Sequence, residues 1–74
     1  MNIYYVYQDE NTGLDTYHAL IVAADSEEEA LLTHPDGDWD RADTWCFSEK
    51  EAKANLIGLA AENVSAGVIL TSFS

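Results

Sequence analysis

Carboxylates at alternate positions are how a calcium-binding loop presents its first ligands, and Asp36-Gly37-Asp38-Trp39-Asp40 has that spacing. The remainder of such a loop is missing. The sixth position, where a sharp turn needs glycine, is Arg41, and the twelfth, where a bidentate glutamate belongs, is Phe47. The segment reads as a solvated acidic loop. A second candidate is the trio His18, His34 and Cys46, whose residue types suit a nucleophile with its base, or a partial zinc site. The three are scattered without paired ligand spacing, and no third group is placed to orient a base. His18 falls inside an apolar run. His34 precedes a proline at the end of an expected helix, where it can face the helix C-terminus. Cys46 stands between Trp45 and Phe47 as a small buried hydrophobe. No catalytic residue, cofactor site or metal ligand is assigned, and the chain is read as a non-enzyme.

Charge is the stronger signal. Fourteen acidic residues against three basic ones give a net charge of −11. Affinity for DNA, RNA or an anionic membrane comes from lysine and arginine, so direct binding to any of these is excluded. A basic protein surface, including one that normally holds nucleic acid, is compatible with this charge. The acids fall into three groups: Asp9, Glu10 and Asp15 in a first turn; Asp25 with Glu27, Glu28 and Glu29 at a helix start; and Asp36, Asp38, Asp40 and Asp43 in a long loop. Gathered at one end of a sheet they would form a broad negative patch. Asp9, Glu10, Glu27, Glu28, Asp36, Asp38 and Asp40, with Trp39 as an aromatic anchor, are the expected partner-binding residues. Tyr4, Tyr5, Tyr7 and Tyr17 crowd the first two strands, and a structural role as core or cross-strand pairs is favoured for them over an interface role.

These residues must be positioned by a small fold. Seventy-four residues make one domain, and a chain of this size buries only about 60% of the surface its unfolded form exposes. An apolar fraction of 47% argues against disorder. Residues 2–8 alternate as a strand, with Ile3, Tyr5 and Tyr7 on one face and Tyr4 and Val6 on the other. Residues 9–15 are a turn in which Asn11-Thr12-Gly13 supplies tolerance of positive φ, giving an antiparallel hairpin with the next strand. That strand, from Thr16 to Ala24, is largely apolar on both faces and is expected mid-sheet with both faces covered, or nearly so. Ser26 followed by Glu29 reads as a capping box opening a helix that runs to Thr33 and presents Ala30 and Leu31 to the sheet. Pro35 stops it. Residues 34–45 are irregular, with a reverse turn at Pro35-Asp36-Gly37 and two tryptophans folded back over an edge of the core.

The last third is ambiguous. Ser48-Glu49-Lys50-Glu51 is a second capping-box pattern, and propensity alone favours a helix over 49–61. Asn55-Leu56-Ile57-Gly58-Leu59-Ala60 carries an interior glycine and can run instead as a strand over 54–60, the reading that the resemblance described below favours; it would join the strand from Gly67 to Phe73 in a second hairpin through residues 62–66. The architecture expected is α+β: four mainly antiparallel strands with one helix on a face, ββαββ, with the helix at 49–61 as runner-up. Cys46 is the only cysteine, so no internal disulfide forms, and the opening MNIYYVYQDEN lacks the basic start and apolar run of a signal peptide. Both point to the cytoplasm.

Across nearly its whole length the chain resembles a group of small bacteriophage and prophage accessory proteins. The likeness is carried by an ordered series: an aromatic opening strand followed by Gln8-Asp9-Glu10-Asn11; Gly13-Leu14-Asp15-Thr16-Tyr17; Val22-Ala23-Ala24 with Ser26-Glu27-Glu28-Glu29-Ala30; His34-Pro35-Asp36-Gly37; and Gly67-Val68-Ile69-Leu70-Thr71-Ser72-Phe73. The resemblance implies a phage gene product acting in the cytoplasm of a bacterial host, in a class that includes inhibitors of host defence such as anti-CRISPR proteins. It carries no active-site residues. The function expected is non-enzymatic binding and inhibition of a host protein, a nucleic-acid-handling defence complex being the target class. The alternative is a small-ligand binder that holds a nucleotide signal as an oligomer, against which stands the shortage of cations to meet a phosphate.

Overall fold

Tyr17–Ala24 forms the strand on which the rest assembles (β2). The computed structural model describes residues 1–13, 15–37, 39 and 44–73. β2 pairs antiparallel with Asn2–Tyr7 (β1) on one side and with Gly67–Phe73 (β4) on the other, and Lys53–Leu59 (β3) pairs antiparallel with the free side of β1. The sheet therefore has four strands in the order β3-β1-β2-β4, with one helix, Glu27–Leu31 (α1), against one face. This is the α+β, ββαββ arrangement expected, and β2 takes its expected central place. Among the described residues no helix is long and apolar enough to cross a membrane.

The predicted alternation in β1 is observed: Tyr4 and Val6 are buried beneath α1, opposite Val22 and Leu20 of β2. The expectation that both faces of β2 would be covered is corrected. α1 and the segment around Trp45, Cys46 and Ala52 cover the inner face over β1 and β2, while Leu56 and Val68 on the same side of the edge strands stay exposed. On the other face Tyr5, Ile21 and Leu70 lie side by side in register, with Tyr5 and Leu70 exposed. α1 ends sooner than the expected Thr33, with Leu32 as its C-cap, and it buries Ala30 completely. Its cap is not the reciprocal box. The Ser26 hydroxyl accepts from the Glu29 backbone N–H at 3.2 Å, but the Glu29 carboxylate accepts from the Asp25 N–H, one residue earlier than a box requires.

The reciprocal box forms instead at Ser48 and Glu51, yet it opens only a single 3-10 turn, Glu49–Glu51. The runner-up helix over 49–61 is thus overturned after one turn. Propensity loses because β1 has a free ladder edge, and Ala54 pairs with Val6 where it packs on the core. The second hairpin is also corrected: β3 and β4 lie on opposite edges of the sheet. Residues 60–66 cross the end of the sheet between them, tied at their start by the Ala60 N–H donating to the Met1 carbonyl at 2.9 Å. The positive φ expected near Gly13 belongs to Asp15, at 61°, a conformation that aspartate tolerates better than most residues. The reverse turn at 35–37 is present, closed by the Gly37 N–H on the His34 carbonyl at 2.9 Å.

Burial separates two leucines cleanly. Leu20 is 1% exposed and Leu59 81% exposed. Leu20→Ala is expected to cost about 2–5 kcal/mol and Leu59→Ala no more than about 0.5 kcal/mol, read as shifts in the urea midpoint at constant slope.

Candidate functional site

The loops at one end of the sheet are tied together by side chains whose role the sequence did not reveal. Gln8, buried just past β1, fills all four of its hydrogen-bonding positions. Its amide donates to the Asn11 carbonyl at 2.8 Å and the Tyr17 carbonyl at 3.0 Å, while its oxygen accepts from the N–H groups of Glu10 at 2.9 Å and Asn11 at 2.8 Å. The first turn is thereby folded around one side chain. Thr16 adds a hydroxyl bond to the Gly13 carbonyl at 2.7 Å. The turn is then joined to the long loop by the Asn11 amide donating to the Trp45 carbonyl at 2.8 Å.

A second tie involves a predicted binding residue. The Asp36 carboxylate accepts from the Tyr17 hydroxyl at 3.0 Å and from the Thr44 hydroxyl at 2.5 Å, and its backbone N–H donates to Nδ1 of His34 at 3.0 Å. Asp36 thus pins the long loop to the start of β2. The hydrogen bond to Asp36, helped by partial desolvation and the nearby negative charge, holds the Tyr17 hydroxyl above its ordinary pKa. Trp39 is half-buried: its indole N–H donates to the Leu32 carbonyl at 2.8 Å, and its ring meets that of His34 edge-on at 5.1 Å. Asp38 and Asp40 lie outside the described residues.

These ties sort the acidic residues into two places rather than one. Asp9, Glu10 and Asp15 are exposed in the first turn, and the Asn11 and Asp36 bonds bring the long loop to that same end of the sheet. Glu49 and Glu51 precede Lys53, which lies opposite Tyr7 at that end too. Asp25, Glu27, Glu28 and Glu29 follow the other end of β2. The seven rises of β2 cover about 24 Å, about three times the Debye length of about 8 Å at physiological ionic strength, so the acids of the first turn and those at the start of α1 act as separate patches. Glu27 and Glu28 therefore do not share a surface with Asp9 and Glu10.

Of the trio of possible reactive groups, His34 and Cys46 are buried. His34 is buried beside the turn it stabilises, and His18 is half-buried in β2. Cys46 is fully buried, and its thiol donates to the Ser48 carbonyl at 3.3 Å. Burial, with the negative charges of Glu51 and Glu49, pushes the thiol up to about 11, so the nucleophilic thiolate is scarce at neutral pH. Among the described residues no three histidine, cysteine or acidic side chains converge to hold a metal ion. The outer face of the sheet carries a shallow groove of about 160 Å³, formed by Tyr5, Ala19 and Ile21 with Leu70 and Ser72. That is below the roughly 300 Å³ at which small-molecule pockets begin, and no charged side chain lines it. Comparison with family models, with curated proteins and with solved structures finds no match to this chain.

Because the folded state holds the Cys46 proton more tightly than the unfolded chain does, its contribution to stability is intact below pH 9 and is lost as pH rises towards about 11. The Tyr17 hydroxyl acts in the same direction at higher pH. The melting temperature of the native protein is expected to fall more steeply across this alkaline range than that of Cys46→Ala, as followed by circular dichroism. Equal slopes would show that the buried thiol is not the titrating group.

Proposed function

We propose that this chain is a non-enzymatic binding protein that settles the acidic end of its sheet, built from Asp9, Glu10 and Asp15 with the Asp36 loop beside them, on a positively charged face of another protein and blocks it. One observation carries the reading: the Gln8, Asn11 and Asp36 hydrogen bonds fix the first turn and the long loop at a single end, so the carboxylates there stand on a preorganised frame. Preorganised charge speeds encounter with a basic partner and suppresses approach by anionic ones. A rigid frame also reduces the ordering cost that a flexible acidic tail would meet on binding.

The nature of the partner follows from the phage resemblance and from charge. A host protein whose basic face handles nucleic acid is the class such a surface fits, and inhibition of host defence, in the manner of anti-CRISPR proteins, is the biological setting proposed, in the cytoplasm of the bacterial host. The groove on the outer face gives little support to nucleotide-signal binding, since no cation lines it to meet a phosphate.

The test begins with capture of partners from host lysate by the tagged full-length protein, followed by titration of the captured protein. Affinity is expected to fall steeply as salt is raised. The double reversal Asp9→Lys with Glu10→Lys is expected to weaken binding at least about tenfold, whereas Glu27→Lys with Glu28→Lys, beyond the far end of the roughly 24 Å of β2, changes it by less than about threefold. Binding that is insensitive to salt and to the first pair would overturn the reading.

A further inference from the structure

We infer that the face of the sheet turned away from α1 is where two copies of this chain meet, sheet against sheet. The distribution of charge is the first ground. None of the fourteen acidic residues lies in any of the four strands, and Lys53 is the only charged residue within them. In register, Tyr5 stands beside Ile21 and Ile21 beside Leu70, and Ile3 and Tyr7 continue the row of β1. The outer face is therefore a largely apolar, nearly uncharged plane, interrupted by Asn55 beside Tyr5 and Ser72 beside Ala19, on a molecule of net charge −11. A cationic partner finds no carboxylate there, and a phosphate finds only Lys53 at the rim. For a second copy it is the surface on which two like-charged molecules approach at least Coulomb cost.

Size is the second ground. Four strands about 4.8 Å apart and about seven residues long at roughly 3.4 Å each give a plane of about 19 by 24 Å, or about 450 Å² of plan area per copy. Doubled, and enlarged by the relief of the side chains, this reaches the roughly 1,000 Å² that a specific interface needs. Two such sheets pack about 10 Å apart as a sandwich, which places Tyr5, Ile21 and Leu70 of each copy in one shared core.

The edges offer a poorer alternative. Each edge strand carries one extra residue in its ladder: Ile57 falls between the positions paired with Ile3 and Tyr4, and Ile69 between those paired with Ile21 and Val22. Bulges of this kind bend an edge strand and work against continuation of the sheet into a neighbour. The faces are free of that obstacle.

The experiment is sedimentation equilibrium on the full-length protein from low to high micromolar concentration. The expected mass at the upper end is twice the 8.2 kDa of one chain. Leu70→Lys and Tyr5→Lys, both at exposed positions on the outer face, are expected to return the mass to that of one chain with the far-ultraviolet circular dichroism retained. Thr71→Lys, paired with Leu20 and so directed to the opposite face, leaves the dimer intact. Raising the salt strengthens this association, since it screens the repulsion between copies, whereas docking on a basic partner weakens; the two surfaces are thus read apart. A single-chain mass for the native protein at high concentration, an assembly indifferent to Leu70→Lys and Tyr5→Lys, or equal sensitivity to Leu70→Lys and Thr71→Lys (the signature of edge pairing) would each overturn the inference.

Discussion

A five-residue helix is about 7.5 Å long, and the four strands it must cover span about 14 Å from first axis to last. That mismatch governs the structure. α1 contributes one fully buried side chain, Ala30, and the rest of the inner face has to be closed by chain that is neither helix nor strand. Trp45 does most of this. It is the largest wholly buried side chain among the described residues, and Cys46 and Ala52 lie in the same cluster. A loop can serve as half of a core layer only if its own backbone groups are satisfied, which is why the capping box at Ser48 and the Asn11 bond to the Trp45 carbonyl flank the buried residues. The lid and the first turn are in this sense one unit, and the acidic end inherits its rigidity from the needs of the core.

How much of this was legible in the sequence depends on which force decided each element. Period-two alternation separated Tyr4 and Val6 from Ile3, Tyr5 and Tyr7, because side-chain direction in a strand is a local property; which of the two sets is buried depended on where α1 packs. The strand over residues 53–59 was not legible from the residues alone, which left helix and strand open and were tipped to strand only by the resemblance; in the structure the free edge of β1 outweighs the few tenths of a kcal/mol per residue that favour helix. Strand order was not legible. Whether β3 and β4 pair with each other or flank the first hairpin turns on the path of residues 60–66, and a segment of that length is compatible with either.

At the candidate site the balance shifts further. The three acidic groups could be read off the sequence, but their grouping into two patches depended on hydrogen bonds between residues far apart in the chain, such as Tyr17 with Asp36. Gln8 was invisible as an organiser, because glutamine after a strand carries no positional signal until its four partners are seen. The expectation of a covered outer face failed instructively. Apolar residues on both sides of β2 say that both faces avoid water; they do not say that this chain alone supplies both covers.

The charge pattern ties these strands of the argument together. Fourteen carboxylates on a molecule whose longest dimension is 35 Å repel one another, and each placed over a strand would add desolvation to that repulsion. Keeping every acid out of the four strands relieves both costs: Glu27, Glu28 and Glu29 lie at the positive end of α1, and Asp9, Glu10, Asp15 and Asp25 are exposed in water beside the strand ends. The consequence is a molecule with charged poles and an uncharged middle. Such a body offers two chemically distinct surfaces. On the two proposals made above, docking at the charged pole weakens with salt and association across the uncharged middle does not, and the two contacts use different residues.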